Sequence, residues 1–532
     1  MSATRPAPAV SAAPAKLDKA TIRLVVILLL GAIPSLLDTT IVNVAIDTIG
    51  RDLHVTVSEI QWVITGYLLS FGMVIPLSGW ALARFGGRAT WVFALVVFLA
   101  GSVLSGAAWN IGSLIGFRVL QGLGGGLLMP LLTTLLTQAA GGRQLGRLMA
   151  TVSLPVAVVP VFGPVISGLV ISNVSWRWIF YVNVPFCIVA IILAWRGLPA
   201  RSAEQARDQA AGAARLDIAG LLLLCPALAA LLYGLAQAST AAGFGQPRVV
   251  IPLAAGAVLL AAFVWHALQT AVVPLVDLRL FRHRGFTGAS TLMFLAGLSI
   301  YGAMLLLPLY FQQDRGFSAL AAGLLLVPQG VGSILPRTIV GRLTDKLGAR
   351  PVSIAGIVLA AVGTVPFALA GVHTSEWLLG AALVVRGAGL GAATIALMAG
   401  AFQGLAKAEL PHASSATRIM QQIGGAFGAA VLVVILTGGA AHAAGSAGLS
   451  AAFDRTFWWS VGFTALALVP ALLLPGRPVS PAAGQSREAS PTDTASPANP
   501  ASPADTPSPA DTPSPADTAS PAGRPRQPAR RD

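Results

Sequence analysis

The chain has 532 residues, 55% hydrophobic and only 10% charged, with a mean hydropathy of +0.76. Soluble domains carry roughly 25% charged residues, so a water-soluble globular protein is excluded at once. The net charge of +14 does not point to nucleic acid either, because the basic residues lie in short runs between apolar stretches rather than along one face.

About 20 mainly apolar residues span a bilayer, and such windows recur along the chain. Residues 1–21 are rich in Ala and Pro and read as a cytoplasmic N-terminal segment. The apolar run 24–46 is too long for the core of a cleavable signal and reads as an uncleaved first span. Gly, Pro and charged punctuation delimit six spans at 22–46, 60–82, 90–108, 112–138, 147–171 and 178–196. Two more follow at 217–237 and 249–269, then six at 286–311, 318–340, 352–371, 377–402, 414–437 and 457–474. The expected fold class is all-α, a polytopic membrane protein of about 14 transmembrane helices. Lys and Arg concentrate in alternate loops, while the other side holds Arg51, Arg177, Arg248, Arg315 and Arg455. That asymmetry predicts that both termini are cytoplasmic. Residues 476–532, with their SPADTP repeat, cannot form a core and are expected to be a disordered tail.

Two unrelated motifs recur at nearly one spacing. GWALARFGGR (79–88) returns as GRLTDKLGAR (341–350), and Arg118 before Gly122, Gly124, Gly125 and Gly126 returns as Arg386 before Gly387, Gly389 and Gly391. This predicts two six-helix bundles, 22–196 and 286–474, separated by two inserted helices within 217–269. Repeated halves around a midplane site are the architecture of secondary transporters.

Ionisable residues inside a membrane are costly and mark function by default. Asp38 lies about 22 Å along the first helix from Arg23, inside the hydrocarbon core. Desolvation favours the neutral form of a carboxyl, so an acid here can take up and release a proton near neutral pH. Pro34 weakens the backbone ladder just below it, and Thr39 and Asn43 form a polar pair on an adjacent stripe. Arg118 is the main buried cation, with Arg386 its expected counterpart. Thr39, Asn43 and Gln121 are candidate cavity residues. Asp47 sits near the outer end of the first span, within reach of water, and reads as interfacial. Arg337 and Arg418 lie near cytoplasmic ends and can snorkel. The fifth span carries Pro155, Pro160 and Pro164 beside Gly163 and Gly168; freed carbonyls must be satisfied by neighbours, and small residues admit a close helix. A hinge or a tight seal between the halves follows.

The glycine run at 122–126 follows no strand, so close packing explains it better than a dinucleotide fingerprint. The 6 histidines are scattered, no metal site is recognisable, and no GKS/T sequence offers ATP a phosphate loop. No catalytic cluster suggests an enzyme. Cys187 and Cys225 read as small packing residues. No cofactor is expected, and the proton gradient is the expected energy source.

These residues carry a resemblance. LDTTIVNVAI (37–46), RVLQGLGGGLLMP (118–130), GPVISG (163–168), SWRWIFYVNVP (175–185), LFRHRGF (280–286) and the paired 79–88 and 341–350 motifs resemble the fourteen-span drug:proton antiporters of the major facilitator superfamily, the EmrB/QacA-like group. The resemblance covers roughly 20–475. It implies a transporter of the bacterial plasma (inner) membrane that exports small lipophilic compounds by alternating access in exchange for protons. Asp38 and Arg118 are the implied proton-coupling residues. Gly79, Arg84, Gly86, Arg88, Pro160, Gly163, Pro164, Gly168, Gly341, Asp345, Gly348, Arg350 and Arg386 are the implied conformational motifs. An uptake symporter or facilitator on the same scaffold is the alternative. The expected partners are a small lipophilic substrate, protons and the lipid bilayer; the sequence names no accessory efflux partner. The chain departs from the pattern at Ala83, where an acid is expected, at Gly87, where a second basic residue is usual, and at Asp47, where proline is usual.

Overall fold

The structure, a computed structural model, describes residues 19–140, 145–198, 217–237, 245–270, 278–371, 374–401, 410–440 and 445–474. The expected N-terminal segment, apart from its last residues, and the expected tail lie outside the described residues. All the secondary structure among them is helical. In chain order the helices are α1 (Lys19–Asp52), α2 (Val57–Ile60), α3 (Trp62–Val74), α4 (Leu77–Phe85), α5 (Gly87–Gly106), α6 (Ile111–Ala140), α7 (Leu145–Asn173), α8 (Trp178–Tyr181), α9 (Asn183–Gly197), α10 (Ile218–Gln237) and α11 (Pro247–Gln269). They continue as α12 (Arg284–Leu309), α13 (Ala319–Leu325), α14 (Val327–Ile334), α15 (Arg337–Leu347), α16 (Ala349–Ala368), α17 (Glu376–Ala401), α18 (Leu410–Ala440), α19 (Gly445–Leu466) and α20 (Leu468–Ala471). Among the described residues 12 helical stretches are long and apolar enough to cross a membrane. The expected tenth span is broken into α13, α14 and α15, with Pro328 and Pro336 at the two breaks. The last expected span falls on α19 and α20.

Small residues set the packing. Helix α6 lies between α3 and α5 because its glycines leave no side chain in the way. A Cβ on Gly122 would meet the Tyr67 carbonyl at 2.6 Å, and one on Gly126 would strike the Phe71 carbonyl, both on α3. A Cβ on Gly124 would meet the Ala94 carbonyl of α5 at 2.7 Å. The second half repeats this: Gly387 and Gly391 abut the Gln329 and Ser333 carbonyls of α14, and Gly389 abuts α16. Gly86 and Gly348 sit at equivalent turns, between α4 and α5 and between α15 and α16. Their backbones nearly coincide in angle, φ 82° and ψ 166° against φ 91° and ψ 167°, a region only glycine enters freely. The repeat read from the motifs is therefore a repeat of helix turns and close approaches.

Helix α7 stays a single helix through Pro155, Pro160 and Pro164. It packs on α1 along one side and on α13 and α14 along the other. The related contact in the second half runs between α18 and α3, and the pair α10–α11 rests against both through α10. The α12–α18 seam depends on equally close approach. A Cβ on Gly297 would overlap the Gln421 carbonyl, whereas Gly462 faces open space. Gly297→Val is expected to cost roughly 1–3 kcal/mol or more through overpacking, and Gly462→Ala within about 0.5 kcal/mol. Thermal unfolding of the two purified variants in detergent checks this: the first should melt several degrees lower, the second unchanged.

Candidate functional site

Helix α1 carries functional groups on two opposite faces, because residues 38 and 40, or 38 and 43, project about 140–160° apart on a helix of 3.6 residues per turn. One face enters the packing of α5, α6 and α9. There the Asp38 carboxylate accepts a hydrogen bond from Arg118 at 2.6 Å through Oδ2 and one from Gln121 Nε2 at 2.9 Å through Oδ1. Arg118 also donates to Gln121 Oε1 at 2.6 Å and to the Val63 carbonyl at 3.2 Å. Gln121 Nε2 reaches Ser102 Oγ at 2.8 Å, and Asn183 donates to the same hydroxyl at 3.3 Å. The guanidinium lies 4.1 Å from the Tyr67 ring centre. Asp38 and Arg118 are each only 1% exposed. The glycines at 122, 124 and 126 bring α6 close enough to put Arg118 and Gln121 within reach of α1.

The other face of α1 meets a cavity of about 240 Å³. Thr40 and Asn43 of α1, Pro160 and Pro164 of α7, Ile300, Met304 and Leu307 of α12, Gln329, Gly330 and Ser333 of α14, Arg337 of α15 and Leu390 and Thr394 of α17 contribute to its wall. At the end of α1 nearest Asp52 the cavity is sealed. Gln312 donates to the Val44 carbonyl at 3.0 Å, and Gln313 donates to Asp47 Oδ1 at 2.7 Å, while Arg51 pairs with Asp47 Oδ2 at 2.7 Å. Beside them Gly163 packs on Thr40, Gly168 on Leu320, and Gly323 on the Pro164 carbonyl. The glycine and proline motif of α7 thus forms part of this seal.

Several expectations need correction. Gln121 does not line the cavity; it is fully buried beside Asp38, since the glycine register turns it inward. Thr39 is also absent from the wall, its hydroxyl bonded to the Leu36 carbonyl at 2.7 Å; of the three candidates only Asn43 faces the cavity. Asp47 is 8% exposed and bonded to Gln313 and Arg51, and it borders an open pocket at this end of α1. Arg337 does not snorkel away but joins the cavity wall. Arg386 does not occupy the place of Arg118. A Cβ on Gly101 would touch Gln121, and a Cβ on Gly363 would touch Arg386, so Arg386 matches Gln121 and Leu383 matches Arg118. Arg386 donates to Gln329 Oε1 at 2.8 Å, the Ser299 carbonyl at 3.0 Å and Thr364 Oγ1 at 3.2 Å.

Of the loop motif residues, Gly79 and Arg84 are exposed, and Arg88 lies 4.6 Å from the Trp195 ring centre. Gly341 has open space around it, and Arg350 donates to the Leu474 carbonyl at 2.8 Å. The side chain of Asp345 lies outside the described residues. Ser102, Asn183, Gln312 and Gln313 are bonded neighbours of these groups that the sequence does not single out. Their only signal is a polar, uncharged side chain in an apolar span, which is too common to stand alone.

Removing one partner of a buried ion pair strands the other charge, typically at a cost of about 3–5 kcal/mol. Asp38→Asn and Arg118→Gln should each lower the melting temperature of the purified protein. The double variant should lose clearly less than the sum, because no charge is then stranded. Additive losses would show that the two side chains do not depend on each other.

Similarity agrees with this architecture. The profile of the Major Facilitator Superfamily matches residues 28–429. The chain is 37% identical over 426 residues to a "Multidrug resistance protein B homolog" of Mycobacterium tuberculosis, covering 80% of this chain and 78% of that one. It is 33% identical over 332 residues to the "Multidrug export protein EmrB" of Haemophilus influenzae, covering 62% and 64%. Among solved structures, a point variant of the nucleoside transporter NupG superposes with a TM-score of 0.59 at 12% identity, covering 85% of this chain and 99% of that one. The chain is a multi-pass membrane protein that belongs to the Major Facilitator Superfamily, among its multidrug efflux members.

Proposed function

We propose that this chain is a secondary transporter that exports small lipophilic compounds across the bacterial plasma membrane in exchange for protons. In this reading it crosses the membrane fourteen times, with the broken segment α13–α15 and the α19–α20 segment as the two further crossings and with both termini in the cytoplasm. The sealed end of α1 is then the outer end. The names of the relatives support multidrug export as the activity. One observation carries the coupling: α1 holds the buried Asp38–Arg118 pair on one face and borders the cavity and its seal on the other.

The mechanism follows from that geometry. With Asp38 ionised, Arg118 has a full counter-charge, and α1 is drawn toward α6. A proton on Asp38 removes that charge and weakens the pair, which changes the seat of α1 and so the seal on its far side. Gln121, Ser102 and Asn183 hold the carboxyl in place through either state. For export in exchange for protons, a proton taken from outside must be carried inward, so protonation must favour closing the outer end; the structure, sealed there with the Asp38–Arg118 pair bonded, then corresponds to the stage after the proton has left to the inside and before the bundles move back. The bundles 22–196 and 286–474 then move against each other, with the α7 to α13–α14 contact and the α3–α18 contact as the surfaces that open in turn. One proton crossing 100 mV supplies about 2.3 kcal/mol, and each pH unit adds roughly 1.4 kcal/mol. The cavity wall is mostly apolar with a few polar groups, as drug-sized sites are.

Asp38→Asn is expected to abolish pH-driven efflux in membrane vesicles while the protein still inserts. Retained coupled transport in that variant refutes the assignment. Direction is checked separately: cells making the protein should accumulate less of a fluorescent dye than cells without it.

A further inference from the structure

Three arginines gather at one end of helices α1, α5 and α9, and neither the Asp38–Arg118 pair nor the cavity uses any of them. Arg23 stands near the start of α1, Arg88 near the start of α5 and Arg196 near the end of α9. Helix α9 packs against both of the others. The Arg88 guanidinium lies over the ring of Trp195, which is 62% exposed. Arg23 lies along another side of α9, where a Cβ on Gly197 would meet its Nε at 3.5 Å. Arg196 is exposed between them, because successive residues fan out by about 100° around a helix. None of the three joins an ion pair among the described residues. The start of α5 adds to the positive potential, since its first turn has no side-chain cap. About one to two turns along α9 from Arg196, the side chains of Ile188, Val189 and Ile192 are each nearly half exposed. Spaced three or four apart, these positions share one helix face with Arg196. An apolar strip therefore leads from the bilayer to the basic end. The asymmetry of loop charge counts basic residues on one side of a membrane; it does not require three of them to converge around an exposed tryptophan.

We propose that this end of α9 is a binding site for an anionic phospholipid of the bilayer. The phosphate docks among Arg23, Arg88 and Arg196, and one acyl chain runs down the strip formed by Ile188, Val189 and Ile192. The Trp195 ring lies at the level of the glycerol, the depth that suits a side chain with an apolar body and one polar N–H. A guanidinium offers paired N–H groups to two phosphate oxygens, which a point charge does not. Stacking on Trp195 holds Arg88 in place before the lipid arrives, so less side-chain freedom is lost on binding. A headgroup with its own ammonium is already neutralised and gains less, so the site favours a lipid of net negative charge over a zwitterionic one with the same chains. Basic pockets between spanning helices recognise headgroups by this chemistry. The inference goes beyond the transport reading: it requires only that the chain span a bilayer, whichever way a substrate moves.

Quenching of Trp195 by lipids brominated in the acyl chain tests it. The full-length protein is placed in nanodiscs of phosphatidylglycerol and phosphatidylcholine with matching chains, one of the two brominated at a time. Subtracting the signal of a Trp195→Phe protein isolates the lipid at this site. One basic residue near a membrane surface corresponds to about fivefold in affinity. At low salt, phosphatidylglycerol should therefore hold the site at least about tenfold more strongly than phosphatidylcholine. Arg23→Gln combined with Arg196→Gln should bring the two lipids to within about threefold of each other. Arg23→Lys with Arg196→Lys should keep part of the preference. Arg248→Gln, which removes an exposed charge on the other side of the membrane in the proposed topology, should leave it unchanged. Equal quenching by the two lipids in the parent overturns the proposal, as does a preference that survives the double glutamine change. An equal loss in Arg248→Gln also overturns it, since net charge alone then sets the preference. So does displacement of the lipid by millimolar inorganic phosphate, because a free anion then fills the site without acyl chains.

Discussion

A carboxylate and a guanidinium 2.6 Å apart and almost wholly out of water form an arrangement with two very different energies. Paired, each offsets part of the other's desolvation cost. With the carboxyl protonated, the cation keeps only neutral partners, at a cost that in buried pairs reaches several kcal/mol. Asp38 and Arg118 hold that choice inside the packing of α1, α5, α6 and α9, and in the proposed mechanism the rest of the molecule transmits it. α1 is a stiff rod whose far face closes the cavity through Asp47 and the Val44 carbonyl. A change in how α1 seats on α6 must appear at that seal, because packed helices shift as units rather than deform continuously.

The two halves share a frame but not a charge pattern. Glycines at 122, 124 and 126 and at 387, 389 and 391 make the same close approaches, and Gly86 and Gly348 make the same turn. Within that frame the first half places an acid, an arginine and a glutamine, while the second places Arg386 alone, against Thr364, Gln329 and the Ser299 carbonyl. One half therefore has the chemistry to exchange a proton, and the other supplies positive potential beside the cavity. In the proposed exchange, export and proton entry need not compete for one group, since the acid and the cavity lie on opposite faces of α1.

Much of this is legible in the sequence. A charge in an apolar run is conspicuous, so Asp38 and Arg118 stand out, and the glycine runs and the loop motifs reveal the repeat without coordinates. The gaps have definite physical causes. Matching Arg118 with Arg386 follows the letters, but helix packing is set by glycine register, and the two arginines lie about one turn out of phase. Gln121 reads as a cavity residue because a sequence shows which residues are polar, not which way a helix is rotated. Arg337 reads as a snorkelling residue because its closeness to a helix end is visible, whereas the breaks at Pro328 and Pro336 that divide the segment are not. The bond that holds Asp47 is hidden from the sequence because its donor, Gln313, comes from the continuation of α12, far along the chain.

The linkage between the two faces of α1 can be measured directly. Spin labels at Trp109 and Trp377, both exposed at the sealed end, report its opening in a Cys187→Ala, Cys225→Ala background. The distance should lengthen as pH rises and Asp38 ionises, and Asp38→Asn should hold the short distance at every pH. An Asp38→Asn protein whose distance follows pH as the parent's does would contradict the account.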